Sequence, residues 1–159
     1  MTRLSVGFRK LLVVVMLVGT FVAVPAGAET PIIGAPEAST LVEANALVVL
    51  DIRRPEEWAE TGIAKGAWPV SMHTPEFPQQ LQTILTNYRP EQIALICATG
   101  GRTAYVTEIL ERNGISGIAD LSEGMFGNSN GPGWLARGLP VVSIEEATAD
   151  FEAAKQSWD

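Results

Sequence analysis

Short, continuous apolar runs alternate with amphipathic segments along most of the chain. Two runs have the length of a strand, Ala46 to Leu50 and Ile93 to Ile96, and shorter ones follow at Ala67 to Met72 and at about Ile118 to Leu121. Continuous apolar runs of this length are typical of parallel strands that are covered on both faces. The alternation therefore predicts an α/β fold, with a central parallel sheet flanked by helices on both faces.

Helical spacing or helix-end signals occupy the segments between these runs. The predicted helices cover residues 39–45, start near Pro55, cover 77–87, run from Thr103 to Asn113 and cover 144–157. Proline and acidic residues suit the first turn of a helix, and Asn113-Gly114 is a common helix end. The last helix is predicted to pack on the outside of the domain.

The first 28 residues differ in composition from the rest. Arg3, Arg9 and Lys10 precede an apolar run of 14 residues, Leu11 to Val24, and Ala26-Gly27-Ala28 follows. A basic start, a short apolar run and small residues are the features of a secretory signal peptide. The run is shorter than the roughly 20 residues that a membrane helix needs. We therefore predict a signal peptide over 1–28 and a periplasmic or secreted protein; the alternative is a retained membrane anchor.

Charge and cysteine content narrow the classes of function. Residues 1–28 hold three of the 11 basic residues and none of the 18 acidic ones, so the remainder carries 8 basic and 18 acidic residues, a net charge of −10. Such a chain is not expected to bind nucleic acid or to insert stably in a membrane after signal removal. One cysteine and one histidine give no Cys/His cluster of metal ligands, so no metal is expected.

The single cysteine is the strongest chemical feature. Cys97 follows the predicted strand 93–96 and precedes a helix, and Gly100, Gly101 and Arg102 lie between. Ligands of open α/β sheets bind at the carboxyl ends of strands, and a helix N-terminus favours an anion. A glycine-rich loop lets several N–H groups turn inward. The pattern indicates a cradle for an anionic sulfur; the alternative is a buried, inert cysteine.

Four stretches of the chain carry a family resemblance: Cys97-Ala98-Thr99-Gly100-Gly101-Arg102-Thr103, Val49-Leu50-Asp51-Ile52-Arg53, Glu57-Trp58 with Gly62-Ile63 and Gly66-Ala67, and Leu121-Ser122-Glu123-Gly124-Met125 with Gly133-Trp134 and Gly138-Leu139-Pro140-Val141. In order and spacing, over roughly residues 37 to 142, they resemble the rhodanese domain family, and the chain is similar to a single-domain sulfurtransferase of that family. The resulting division is a signal peptide at 1–28, a lead-in at 29–36, a rhodanese-like domain at 37–142 and a C-terminal helix at 143–159.

The resemblance implies a rhodanese-like fold and a two-step sulfur transfer that needs neither a metal nor an organic cofactor. Cys97 is the implied nucleophile, and it takes sulfur from a donor such as thiosulfate and passes it from a persulfide to cyanide or a thiol. The implied loop and substrate-binding residues are Ala98, Thr99, Gly100, Gly101, Arg102 and Thr103. Asp51 and Arg53 are expected to support the loop. The partners are a small-molecule donor and acceptor, with a thiol protein as a further candidate.

The sequence departs from the family pattern at two places, and two alternative functions remain. The turn before Ile63 has Gly62 where the family usually carries histidine, and residues 127–132 lengthen the link before Trp134. His73, the only histidine, is interpreted as a solvated loop residue. The alternatives are a non-catalytic persulfide carrier or a cysteine phosphatase or arsenate reductase. Loops of those enzymes typically place five residues between cysteine and arginine, whereas four separate Cys97 from Arg102.

Overall fold

The computed structural model describes residues 30–158. Its helices are α1 Ala35–Glu43, α2 Pro55–Thr61, α3 Phe77–Asn87, α4 Gly101–Arg112, α5 Gly133–Ala136 and α6 Ile144–Lys155, with a 3-10 turn at Pro90–Gln92. Its strands are β1 Val48–Asp51, β2 Ile63–Ala64, β3 Ala67–Pro69, β4 Ile93–Ile96, β5 Ala119–Asp120 and β6 Val141–Val142. Within these residues, no helix has the length and apolar character required to cross a membrane. The predicted signal peptide lies outside the described residues and stays a prediction.

Four parallel strands form the central sheet, in the order β3-β1-β4-β5. The register pairs Asp51 with Ile96, and the amide of Ile52 donates to the carbonyl of Ile96 at 3.0 Å. The loops that follow β1 and β4 therefore leave the sheet side by side at its carboxyl edge. This places Arg53 and Cys97 on neighbouring loops.

The two faces of the sheet bury separate apolar clusters, because successive strand residues point to opposite sides. One cluster joins Val49, Ala94 and Ile96 to α1, α2 and α5. The other joins Leu50 and Leu95 to α3 and α4, and it includes Cys97. Helices thus cover both faces, which confirms the predicted fold class.

The last helix closes the sheet at the β3 edge. Its N-cap, Ser143, accepts a hydrogen bond from the amide of Glu146 at 3.2 Å. Phe151 of α6 stacks on Trp68 of β3, with ring centroids 4.9 Å apart. Aromatic stacking and area burial therefore hold the C-terminal segment on the domain.

Two predicted helix starts were wrong, and one pair of strands had not been predicted. The first helix begins at Ala35, not after Ser39, because the buried Glu123 carboxylate accepts a hydrogen bond from the Ala35 amide at 2.7 Å and Pro36 occupies the first turn. Helix α4 begins at Gly101 rather than Thr103. The antiparallel pair β2–β6 had not been predicted, since each strand has only two residues.

Candidate active site

Cys97 lies directly after β4 and is 1% exposed. Its sulfur is 3.8 Å from the Thr103 hydroxyl oxygen, and that hydroxyl donates to the carbonyl of Gly100 at 2.8 Å. Thr103, one turn into the helix, thereby ties the sulfur to the backbone of the loop. The loop is short because α4 begins only four residues after the cysteine.

The carbonyl groups of the loop are held by the segment after β5. The amides of Met125 and Phe126 donate to the carbonyls of Cys97 and Ala98, both at 2.9 Å. The side-chain amide of Asn128 donates to the carbonyl of Thr99 at 2.7 Å. The three carbonyls that start the loop therefore all face the segment from 122 to 128.

The N–H groups of the same loop are free. Within the part of the chain that the structure describes, none of the six amides from Ala98 to Thr103 donates a hydrogen bond. A trans peptide points its C=O and the next N–H in opposite directions. Because the carbonyls of Cys97, Ala98 and Thr99 face the 122–128 segment, the following three N–H groups face away from it. The loop thus presents unengaged donors on one side, which suits an anion.

Two glycines allow this close approach of loop and segment. Gly100 has φ of +83°, and a Cβ there would lie 2.0 Å from the carbonyl oxygen of Ser122. Gly124 has φ of +63°, and its Cβ would lie 2.5 Å from the carbonyl oxygen of Ala98. Both positions need left-handed backbone and have no room for a side chain. Gly101 differs, since a Cβ there would meet nothing within 4 Å.

Arg102 is directed by an acidic partner that had not been predicted. Its guanidinium makes two hydrogen bonds of 2.6 Å to the two carboxylate oxygens of Glu57 in α2. Its Nη1 also lies 3.4 Å from Nε2 of the exposed His73. The hydrogen bond to Glu57 outweighs burial and raises the pKa of Arg102, and the nearby Cys97 adds to this. The three side chains form the mouth of the cradle.

Protonation at the mouth follows from these contacts. The Arg102 hydrogen bond lowers the pKa of Glu57 from 4.5 to about 2, against a smaller opposing effect of burial. Desolvation, together with the guanidinium groups of Arg54 and Arg102, lowers the pKa of His73 below 6.5. At neutral pH, Glu57 is therefore ionised and His73 is neutral. The positive charge of Arg102 is largely balanced.

Asp51 and Arg53 lie behind the mouth, and both are fully buried. Arg53 donates to both Asp51 carboxylate oxygens, with distances of 2.6 to 3.0 Å, and its other N–H groups reach the Thr61 hydroxyl at 2.9 Å and the Gly62 carbonyl at 2.8 Å. These contacts fix the end of α2, the helix that carries Glu57. The pair therefore supports Arg102 from a distance and has no contact with the sulfur.

A second buried carboxyl lies on the other side of Thr103. Asp120, at the end of β5, is 6% exposed, and its Oδ1 has no hydrogen-bond partner among the described residues. Burial raises the pKa of Asp120, and the nearby Thr103 side chain partly offsets that effect. Thr103 thus lies between the sulfur and a carboxyl group, a link that the sequence pattern did not indicate.

Most of the sequence-predicted site residues come together around Cys97. Ala98, Thr99 and Gly100 form the loop, and Arg102 and the buried Thr103 lie with the exposed Gly101 in the first turn of α4. Three residues with a positioning role were missed: Glu57, Gly124 and Asn128. Glu57 and Gly124 belong to motifs that the sequence displays, but nothing in those motifs identifies their partners.

Asn128 gives a role to the longer link at 127–132. Its amide group bridges the carbonyls of Thr99 and Ser122, both at 2.7 Å, and its Oδ1 accepts from the amide of Asn130 at 2.6 Å. The added residues therefore brace the outside of the cysteine loop.

The Glu57–Arg102 pair predicts a pH-dependent stability. A carboxylate whose pKa is lower in the folded state than in the unfolded state stabilises the fold. This contribution is complete when the pH lies above the pKa of the unfolded state, and it is lost as the pH falls through the pKa of the folded state. Glu57→Gln should therefore lower the free energy of unfolding by about 1 kcal/mol at pH 7. The difference from wild type should shrink between pH 4.5 and about pH 2. Urea unfolding at pH 7, 5 and 3 measures it.

The matched control is Glu56→Gln, since Glu56 is the exposed neighbour of Glu57 on α2. It should change the free energy of unfolding by less than about 0.5 kcal/mol at each pH. A Glu57→Gln difference that is constant from pH 7 to pH 3 would contradict the ion pair as its source.

Comparison with known proteins identifies the family of the chain. A model of the rhodanese-like domain family matches residues 34–130, which is more than half of the chain, and the chain belongs to this family. Membership places it in the sulfurtransferase superfamily. No curated protein matches the sequence.

Several solved structures are similar. Rv0390 from M. tuberculosis is 21% identical, with a TM-score of 0.53, and the match covers 71% of this chain and 97% of that one. A rhodanese-like domain protein from Staphylococcus aureus is 25% identical, with a TM-score of 0.47 and coverage of 72% and 100%. RPA3614 from Rhodopseudomonas palustris, described as a possible tyrosine phosphatase, is 19% identical, with a TM-score of 0.45 and coverage of 71% and 85%. The first of these shows the fold.

Proposed function

We propose that this protein is a thiosulfate sulfurtransferase that carries sulfur as a persulfide on Cys97. The observation that supports it best is the loop after β4. Six consecutive unengaged N–H groups follow a buried cysteine, and the carbonyls of the loop are turned away and bonded elsewhere. A persulfide carries its negative charge on the outer sulfur, and amides in such an arrangement stabilise an anion.

The proposed reaction has two steps and no net oxidation. The Cys97 thiolate attacks the outer sulfur of thiosulfate, a new S–S bond forms, and the S–S bond of the donor breaks as sulfite leaves with the electron pair. Cyanide or a thiolate then attacks the outer sulfur of the persulfide, and Cys97 leaves as a thiolate. Thr103 holds the inner sulfur in place through its hydroxyl.

Mass spectrometry of the intact chain tests the first step. After treatment with thiosulfate and removal of excess reagent, the mass should increase by one sulfur atom on Cys97. Addition of cyanide should remove that atom and release one equivalent of thiocyanate. A chain that gains no sulfur would overturn the proposal. Loading without repeated turnover would favour the carrier alternative.

A further inference from the structure

An open apolar groove lies between α3 and α4, on the sheet face that buries Cys97. Its volume is 500 Å³, and its walls include Met72, Phe77, Leu81, Tyr105, Ile109 and Leu110. That volume lies within the roughly 300–1,000 Å³ of small-molecule pockets. Tyr105 and Ile109 are 57% and 37% exposed, so a substantial part of this apolar surface faces water. We call it the α3–α4 groove.

The groove and the mouth of the cradle are built from neighbouring parts of the same two chain segments. Met72 precedes His73, whose ring nitrogen lies 3.4 Å from Arg102. Tyr105 follows Arg102 by one helical turn, so the two side chains lie on the same part of the α4 surface. Val106, another wall residue, belongs to the buried cluster that contains Cys97. A molecule seated in the groove would therefore contact residues that adjoin His73 and Arg102 of the mouth and pack in the same cluster as Cys97.

Charge decides what kind of molecule fits. Among the described residues, those that line the groove include no Asp, Glu, Lys or Arg. The chain from residue 29 onward carries a net charge of −10, and Glu57 balances the charge of Arg102 at the mouth. The net negative charge repels a ligand whose groove-bound part is anionic. It does not repel a ligand whose groove-bound part is neutral and apolar.

We propose that the α3–α4 groove binds the apolar body of the sulfur acceptor, and that this acceptor is an alkyl or aryl thiol; the inference rests on the proposed function. The thiolate of the bound acceptor attacks the outer sulfur of the Cys97 persulfide. A new S–S bond forms on the acceptor, the S–S bond to Cys97 breaks, and Cys97 leaves as a thiolate. The product is the organic persulfide of the acceptor, and no oxidant is required.

A homologous series of thiols tests the acceptor. The full chain is loaded with thiosulfate, and kcat/KM is measured for n-alkanethiols from ethanethiol to octanethiol, with cyanide as an acceptor that has no apolar body. Each methylene that enters the groove should raise kcat/KM about fourfold until the groove is filled. A series without chain-length dependence overturns the groove proposal and leaves the proposed function standing, since cyanide turnover measures that separately.

Two substitutions, at residues of similar exposure, test whether the chain-length dependence of kcat/KM arises in the groove. Ile109→Gln should lower the ratio of octanethiol to cyanide kcat/KM at least about tenfold, because it places an amide in the groove wall. Val141→Gln changes a residue that is 41% exposed on β6, away from the groove, and the ratio should stay at the wild-type value. Equal ratios in the two variants would overturn the assignment to this groove.

A binding measurement removes the dependence on turnover. n-Octyl methyl sulfide has the same body as octanethiol and cannot accept sulfur. Calorimetry should show it binding to the unloaded chain with a negative heat-capacity change, and Ile109→Gln should weaken that binding at least about tenfold. Binding without persulfide formation would show that the groove is an apolar site while the proposed function fails. Absence of binding would overturn the groove proposal and leave a protein partner as the occupant to seek.

Discussion

Cys97→Ser is expected to reduce sulfur transfer from thiosulfate to cyanide at least about a thousandfold, because a hydroxyl group cannot form the persulfide. Cys97 is the only cysteine in the chain, so no other thiol can take over its role. Serine is close to cysteine in size and keeps a polar contact to Thr103. The free energy of unfolding should therefore fall by no more than about 2 kcal/mol. Steady-state thiocyanate release and urea unfolding measure the two quantities.

The same assays separate the alternative functions. Hydrolysis of a phosphate ester is measured alongside sulfur transfer on the wild-type chain. A wild-type chain that hydrolyses the ester faster than it transfers sulfur would replace the sulfurtransferase proposal with a phosphatase. Undiminished sulfur transfer by the serine variant would exclude Cys97 as the carrier.

Gly100→Ala should be the most damaging single change in the loop apart from loss of the cysteine. The added methyl would lie 2.0 Å from the carbonyl oxygen of Ser122, and the residue would have to keep φ of +83°. Left-handed backbone alone costs a non-glycine residue about 1–2 kcal/mol, and the steric clash adds to that. We expect a loss of at least about 2 kcal/mol in stability. Turnover should fall at least about tenfold, because the loop amides move away from the sulfur.

Gly101→Ala is the matched control for this change. Its Cβ would meet nothing within 4 Å, and the residue is already in the first turn of α4. Alanine is the better helix former by up to about 1 kcal/mol, so stability should stay equal or rise. Equal damage from the two substitutions would show that the left-handed conformation at Gly100 does not set the geometry of the loop.

The sequence alone predicted the fold class and pointed to the candidate reactive atom. Apolar runs of strand length predicted the parallel sheet, because a strand that is buried on both faces cannot alternate polar and apolar residues. A single cysteine at a strand end, followed by glycine and a helix, located the candidate cradle, because these local features directly constrain the backbone. The local sequence pattern was sufficient to predict those features in which residues close in sequence are also close in space.

Only the tertiary structure decided which partners complete the site. Glu57 reaches Arg102 across 45 residues of chain, and Glu123 starts α1 from 88 residues away. Asn128 braces the cysteine loop from an insertion whose sequence has no helix or strand pattern. The α3–α4 groove exists because two helices that are predicted separately pack on one sheet face with a gap between them. Such contacts depend on how the helices and strands are placed in three dimensions. Periodicity along the chain predicts the elements themselves and does not predict how they pack.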